Sequence, residues 1–199
     1  MGDEMEGLLG LAGLLLAGAA TPGPNNLVVW HVAARRGFSG ALPAIAGVVL
    51  GGLALLAAAM AGLDALLGAV PWLRSALLVA GCVYLAWLGI TLIVRAGHGG
   101  TDAGPGRLPE GFAELFVFQF LNPKGWVLMA TVAAALPVPP DAAAHAGAAA
   151  LFLCISSACL GMWALLGRAV ARGTGSLSRL ERLMGCLLIV SAALLAFGR

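Results

Sequence analysis

Six long apolar stretches limit what this chain can fold into more than any other feature of its sequence. A helix needs roughly 20 mostly apolar residues to cross the hydrocarbon core of a bilayer. Stretches near that length occupy residues 8–34, 41–63, 72–94, 112–136, 142–166 and 183–197, and we expect the short last helix to begin near Leu177. Only 10% of the residues are charged, far fewer than in a soluble domain. The sequence therefore predicts an all-α integral membrane protein with six transmembrane helices.

The basic residues indicate which way the chain crosses the membrane. With six spans, both termini lie on one side and the first, third and fifth loops lie on the other. Two arginines, Arg74 and Arg199, fall on the side of the termini. Eight fall in or beside the three odd loops: Arg35, Arg36, Arg95, Arg107, Arg168, Arg172, Arg179 and Arg182. Because cytoplasmic loops carry an excess of basic residues, we expect the odd loops in the cytoplasm and both termini outside.

The first apolar stretch is predicted to be a retained helix and not a cleaved secretory signal. A signal peptide begins with positive residues, whereas this chain begins with Asp3, Glu4 and Glu6 and has no early lysine or arginine. The longest polar connection, residues 97–109, is rich in glycine and contains proline, and it is too short to fold alone. We therefore expect one membrane domain over residues 1–199.

Proline and amide residues interrupt two of the predicted spans. Three prolines fall inside spans, and the other seven lie at span ends or in loops. All four amide side chains of the protein and its only lysine lie beside these three prolines. Because proline removes a helical hydrogen bond, helices 1 and 4 are predicted to be broken. The residues in and around the two breaks are Pro22, Gly23, Pro24, Asn25, Asn26, Gln119, Asn122, Pro123 and Lys124.

The two breaks divide the chain into similar halves. Pro24 and Pro123 are 99 residues apart, about half the length of the chain. Each half would hold a broken span followed by two further spans, as repeat one at about 7–96 and repeat two at about 110–198. Three spans per half make the second half enter from the opposite side, so the repeats are inverted. Paired interruptions of this kind indicate a transporter binding site near the membrane midplane.

The chemistry of the breaks suits a zwitterion. Proline at these positions frees the carbonyls of Gly18, Ala20 and Gln119, which in hydrocarbon need another partner. Each half-helix after a proline begins with free N–H groups that carry partial positive charge. Lys124 adds a full positive charge, and the amides can donate or accept. A carboxylate and an ammonium could both be held there, so we predict that these nine residues bind an amino acid. The alternative is that the prolines only kink helices for packing.

Two acidic residues are candidates for proton coupling. Glu114 lies eight residues before Asn122 on a similar helical face, although a solvated carboxylate at the membrane interface is the alternative. Asp64 lies at the outer end of the second span, where a cap or loop role is the alternative. His31 beside Trp30 is more typical of a packing residue.

Three motifs carry a family resemblance: "PGPNNL" at the first break, "GFSGALPAIAGVVLGG" over residues 37–52, and "NPKGW" at the second break. The chain resembles the LysE/RhtB family of amino-acid exporters. That resemblance implies a multi-pass secondary transporter of the bacterial inner membrane, with proton antiport and alternating access. It implies that substrates such as lysine, arginine, homoserine, threonine or cysteine leave the cytoplasm. The residues that match its two signatures are Pro22, Gly23, Pro24, Asn25, Asn122, Pro123 and Lys124.

Other classes of function fit less well. A passive channel for small solutes stays open as a rival. A membrane thiol carrier would use some of the four cysteines, Cys82, Cys154, Cys159 and Cys186, but none lies beside a proline break and no CxxC motif occurs. Nucleotide-binding glycine motifs are missing from the sequence, as is a motif that would place a base beside Ser156 or Ser157.

The sequence also indicates the partners of the protein. We expect a small-molecule substrate and membrane lipid as partners, no cofactor or metal, no nucleic acid and no enzymatic reaction. Gly47 and Gly51 form a small-xxx-small pair, which would serve either a homodimer or helix packing within one subunit.

Overall fold

The structure, a computed structural model, describes residues 2–62, 69–97, 108–136, 142–172 and 177–197. These residues form helices and no strand. The helices are α1 (Gly2–Ala20), α2 (Pro24–Met60), α3 (Pro71–Gly97), α4 (Phe112–Phe120), α5 (Pro123–Ala134), α6 (Ala142–Arg172) and α7 (Leu177–Phe197). The predicted all-α class is confirmed. Asp64 and most of the 97–109 linker lie outside the described residues.

Several helices are long and apolar enough to cross a membrane. Within the described ranges they are Pro24–Met60, Ser75–Gly97 and Ala142–Ala171. A fourth crossing is supplied if Phe112–Leu121 and Pro123–Ala134, which meet at 72°, form one bent span. Leu9–Ala20 is a shorter apolar helix. The protein is thus a multi-pass membrane protein, while the six-span inverted repeat stays a prediction.

Helix α2 doubles back at Gly37. Its 37 residues would extend about 55 Å if straight, well beyond the roughly 30 Å hydrocarbon core. Gly37 has φ 75° and ψ 176°, a conformation that glycine adopts without steric cost. Asn25 and Leu55 line one small cavity, although 30 residues of straight helix would hold them about 45 Å apart. The helix therefore consists of two segments, residues 24–36 and 38–60, that fold against each other.

Glycines let the helices approach closely inside the bundle. A side chain at Gly51 would lie 2.6 Å from Gln119 Cγ and 2.7 Å from the carbonyl oxygen of Phe116, and Gly47 faces the Phe112 carbonyl in the same way. The small-xxx-small pair thus packs α2 against α4 within one subunit. Between α3 and α7, a Cβ on Gly89 would lie 2.6 Å from the Gly185 carbonyl oxygen. The contacts at Gly47 and Gly51 thus hold the second segment of α2 against the helix that leads into the second break.

Candidate functional site

The two helix breaks meet through their amide side chains. Helix α1 ends at Ala20 before α2 begins at Pro24, and α4 ends at Phe120 before α5 begins at Pro123. Asn25 Nδ2 donates to Gln119 Oε1 at 2.9 Å, and Gln119 Nε2 donates back to Asn25 Oδ1 at 3.0 Å. Asn122 Nδ2 donates to the same Asn25 oxygen at 3.0 Å. Three amides from opposite halves of the chain therefore form one hydrogen-bonded cluster, which we name the amide cluster.

Asn122 also starts the helix that carries Lys124. Its backbone is extended, with φ −94° and ψ 101°, and its Oδ1 accepts from the Lys124 backbone N–H at 3.2 Å. Pro123 follows as the first residue of α5, where its missing N–H costs no hydrogen bond. One side chain thus caps α5 with its oxygen and joins the amide cluster with its nitrogen.

Side-chain donors meet the carbonyls that the first break exposes. Asn26 Nδ2 donates to the carbonyl oxygens of Ala19, at 2.8 Å, and Thr21, at 2.9 Å. Lys124 Nζ donates to the same Thr21 oxygen at 3.0 Å. The carbonyls expected to receive donors were those of Gly18 and Ala20, counted four residues back from each proline. Residues 21–23 are not helical, so that count does not apply across the break.

The second break satisfies its own freed carbonyl. The oxygen of Gln119, expected to lose its helical partner, accepts from the Asn122 backbone N–H at 3.2 Å in a tighter turn. Trp126 Nε1 donates to the Phe120 oxygen at 3.0 Å. The freed carbonyls of the second break thus bond within their own segment. The Ala19 and Thr21 carbonyls of the first break instead accept from side chains that line the cavity.

A cavity of about 60 Å³ lies between the two breaks and α6. By volume it holds on the order of four waters, which is the scale of a small solute. Seven of the nine residues predicted for the site line it, whereas Pro22 and Pro123 do not. The lining residues are Gly18, Ala19, Gly23, Pro24, Asn25, Asn26, Val48, Gly52, Leu55, Gln119, Asn122, Lys124, Gly125, Leu128, Met129, Phe152, Ser156 and Leu160.

Gly23 makes room for the side chain of Lys124. A Cβ on Gly23 would lie 3.1 Å from Lys124 Nζ and 3.3 Å from its Cδ. The backbone of Gly23 is extended, with φ −162° and ψ 176°, which any residue can adopt. A side chain here would therefore crowd the lysine that packs on Gly23, whereas the backbone of this position does not itself call for glycine.

Helix α6 supplies a wall that sequence reasoning missed. Phe152, Ser156 and Leu160 line the cavity at four-residue spacing, so they share one face of the helix. Ser156 is buried, with 6% of its surface exposed, yet we considered it above only as a hydrolytic nucleophile. The sequence feature that could have indicated its place in the cavity wall is a hydroxyl on an otherwise apolar face of the helix.

The predicted proton-coupling residues lie elsewhere. Glu114 Oε2 accepts from the backbone N–H groups of Glu110, at 2.7 Å, and Gly111, at 3.1 Å, and so caps the start of α4. Its side chain is exposed and does not line the cavity. Asp64 is outside the described residues. Proton coupling by either residue stays a prediction.

The cysteines are also placed away from the cavity. All four thiols are free, and none belongs to the lining. Cys154 and Cys186 are exposed on the outer surface of their helices, while Cys159 is buried. Nothing in their position favours a thiol carrier.

Comparison of the sequence with known proteins finds a matching family and several relatives. A model of the LysE type translocator family matches residues 16–199. The cysteine/O-acetylserine efflux proteins of Salmonella typhimurium and Salmonella choleraesuis are each 28% identical over 182 residues, covering 90% of this chain and 91% of each relative. An uncharacterized membrane protein of Pseudomonas aeruginosa is 38% identical over 72 residues, covering 36% of this chain and 33% of that protein. No solved structure gives a significant match.

Proposed function

Because this chain belongs to the LysE type translocator family, we propose that it is a secondary transporter that exports amino acids or similar small zwitterions. The names of its efflux-protein relatives support export as the direction of transport. Our proposal adds that export crosses the bacterial inner membrane and is coupled to the proton gradient. Two inverted three-helix repeats would alternate access around the cavity. The observation that carries this proposal is the cluster of polar groups where two broken helices meet inside an apolar bundle.

Lys124 is the group that we assign to the substrate carboxylate. It is the only lysine of the chain, it lines the cavity, and its ammonium lies 3.0 Å from the Thr21 carbonyl oxygen. A cation inside a membrane protein is costly unless it is paired, so such residues mark ion and substrate pathways. When a carboxylate enters, the Lys124 ammonium would turn from Thr21 towards it.

The first break is assigned to the substrate ammonium. The Ala19 and Thr21 carbonyls are acceptors, and the Thr21 oxygen loses a donor when Lys124 turns to the carboxylate. A substrate ammonium can take over that position. A solute with both charges thus replaces one internal contact by two new ones. A solute with only a carboxylate leaves the Thr21 oxygen with one donor fewer, and a solute with only an ammonium competes with Lys124 for that oxygen.

The apolar wall limits the size of the substrate side chain. Leu55, Met129 and Phe152 face the same small cavity, with Ser156 as the one hydroxyl on that wall. A cavity on the scale of four waters favours small side chains over long basic ones. The names of the two Salmonella relatives, which refer to cysteine and O-acetylserine, are consistent with this size.

A cell-based export assay tests the proposal. Cells that express the wild type, Lys124→Ala or Asn25→Ala are loaded with a mixture of dipeptides, and the amino acids that appear outside are quantified. We expect one class of small amino acid to leave wild-type cells and to be retained by cells with either variant. Gly13→Ala, on an exposed position of α1 with open space around it, is the matched control. Normal export by both site variants would contradict the proposal.

A second assay separates the exporter from a passive channel. Inverted membrane vesicles containing the protein are given a proton gradient and the substrate found above. An antiporter accumulates the substrate above its outside concentration and loses that accumulation when a protonophore is added. A channel only equilibrates the substrate, so uptake that stops at equal concentrations would favour the channel.

A further inference from the structure

A second group of charged residues lies at the Gly37 turn, away from the cavity. Glu181 of α7 has no exposed surface, and its Oε1 accepts from Arg35 Nη1 of α2 at 3.3 Å. His31 Nδ1 lies 3.9 Å from the same oxygen. The next residue of α2, Arg36, pairs with Glu110 just before α4. Two consecutive arginines thus connect one helix segment to two others.

These ion pairs lie one rigid segment away from the amide cluster. From Asn25 to Arg36, the first segment of α2 extends about 16 Å along its axis. The chain from Glu110 to Gln119 extends over a similar length, mostly as α4. The two segments are joined by Asn25 and Gln119 at one end and by Arg36 and Glu110 at the other. Movement of either segment must therefore strain or break contacts at both ends.

The space between the two ends is filled by apolar side chains. Val29, Val32 and Ala33 have no exposed surface, and Leu115 of α4 is also fully buried. A polar solute that moved along these segments from the cavity towards the Gly37 turn would have to displace this apolar layer. On this side the cavity is closed, first by the apolar layer and then by the two ion pairs.

A buried ion pair is a weak source of stability. Apolar residues of similar size usually stabilise a protein as well or better, because two charges must be desolvated. Charges inside a membrane protein are more costly still and mark functional elements. The Arg35–Glu181 pair therefore needs a role besides packing, and its position at the closed end of the cavity suggests one.

We propose that the Arg35–Glu181 and Arg36–Glu110 pairs form a gate that closes the cavity on its Gly37 side, and that both pairs separate when this side opens. The proposal rests on the transport function above. Separated arginines and carboxylates regain water in the open state, so the pairs can break and form again during each cycle. Gly37, at its positive φ, is the point about which the two segments of α2 would pivot.

Thiol labelling of a buried reporter tests the gate without any substrate. The four native cysteines are replaced by serine or alanine, and Ala33→Cys is introduced between the cavity and the gate. A membrane-impermeant maleimide is applied to inverted vesicles and to right-side-out vesicles. With the gate intact, we expect slow labelling of Cys at position 33 from the Gly37 side. With Glu110→Gln and Glu181→Gln combined, labelling from that side should rise about tenfold or more, as a minor open state becomes major.

Two controls separate gating from damage to the fold. Arg168→Gln removes a charge of α6 that takes no part in either gate pair and should leave labelling slow. The charge exchange Arg36→Glu with Glu110→Arg keeps a pair of opposite charges at this position. Its labelling should therefore be slower than that of the single variant Glu110→Gln and close to that of the intact gate.

The gate and the proposed transport function can each fail without the other. Labelling that stays slow in the double glutamine variant overturns the gate, whatever the export assay shows. Labelling that rises equally with Arg168→Gln also overturns it, since any loss of charge would then suffice. A gate that responds as expected in a protein that exports no amino acid would instead contradict the proposed function.

Discussion

At the scale of residues, the site combines neutral amides with one cation. Neutral amides can donate and accept in a low-dielectric interior without the desolvation cost of charges, so Asn25, Gln119 and Asn122 can satisfy one another there. Lys124 alone carries a charge among them, and it is held by a backbone carbonyl. These polar groups thus have protein partners, and each of them can exchange such a partner for a substrate atom.

A methyl group at Gly23 should disable Lys124 without changing the backbone. In Gly23→Ala, the new Cβ would lie within 3.1 Å of Nζ and displace the ammonium from Thr21. Loss of one charge-assisted hydrogen bond is worth about 1.5–3 kcal/mol, so we expect export to fall roughly ten- to a hundredfold. The initial rate of export, divided by the amount of protein in the membrane, measures this. A rate equal to that of the wild type would show that Lys124 has room to adapt.

The losses of protein stability caused by Asn25→Ala and by Gln119→Ala should not be additive. Asn25→Ala removes the donor to Gln119 Oε1, and Gln119→Ala removes the acceptor of Asn25 Nδ2, each at a cost of about 1–3 kcal/mol. The double variant removes both groups and should be destabilised by less than the sum. Thermal unfolding of the four proteins in one detergent gives the coupling. Additive changes would indicate that water replaces the missing partner in each single variant.

Single residues also show what the sequence could and could not predict. The meeting of Asn25 with Gln119 and Asn122 was predictable, because the breaks recur at half the chain length and all amides lie in them. The role of Gly23 was not, since its backbone angles are ordinary and only the lysine from the other half explains it. Ser156 lay in an apolar run without a motif, and Glu114 satisfies a capping geometry that depends on where α4 begins.

At the scale of elements, a proline starts the helix that follows each of the two breaks. Pro24 and Pro123 each occupy the first position of a helix whose preceding residue is extended. This arrangement was predictable from the helix-breaking effect of proline in an apolar stretch. The fold-back of α2 at Gly37 was expected only as a loop between two spans, and it is instead a single-residue interruption of an otherwise helical chain. Only the φ of Gly37 distinguishes these two descriptions.

The packing of α2 against α4 should not tolerate a side chain at Gly51. In Gly51→Ala the Cβ would meet Gln119 Cγ and the Phe116 carbonyl at under 3 Å, and overpacking of this kind costs about 1–3 kcal/mol. We expect a lower melting temperature in detergent and weaker export, because Gln119 belongs to the amide cluster. Gly161→Ala on α6, which has open space around it, is the matched control. Equal melting temperatures for both variants would contradict the packing argument.

At the scale of the whole molecule, two half-chains contribute one break each to a shared cavity. Contacts between residues 94 to 103 positions apart join the breaks. The predicted inverted repeats would explain such a pairing, because a two-fold axis in the membrane plane brings equivalent segments together at the midplane. The distribution of the arginines predicts that the Gly37 turn lies in the cytoplasm, in which case the proposed gate would be the cytoplasmic one.

The orientation can be tested with reporters at the C-terminus. If six spans place both termini outside, alkaline phosphatase fused after Arg199 should be active and green fluorescent protein at the same position should be dark. The same reporters inserted in the 97–109 linker should give the opposite pattern, which serves as the internal control. A fluorescent C-terminal fusion would reverse the predicted orientation or require an odd number of spans.

The joining of the two breaks has a consequence for biosynthesis. When the ribosome has released the first half into the membrane, Asn25 and the Thr21 carbonyl still lack the partners supplied by residues 119 to 124. At about 5–20 residues per second, the missing hundred residues take on the order of 5–20 seconds to arrive. During that interval the early half must keep its polar groups near water, beside the insertion machinery or under lipid headgroups. Completion of the second half then draws them inward, so the cavity is assembled last.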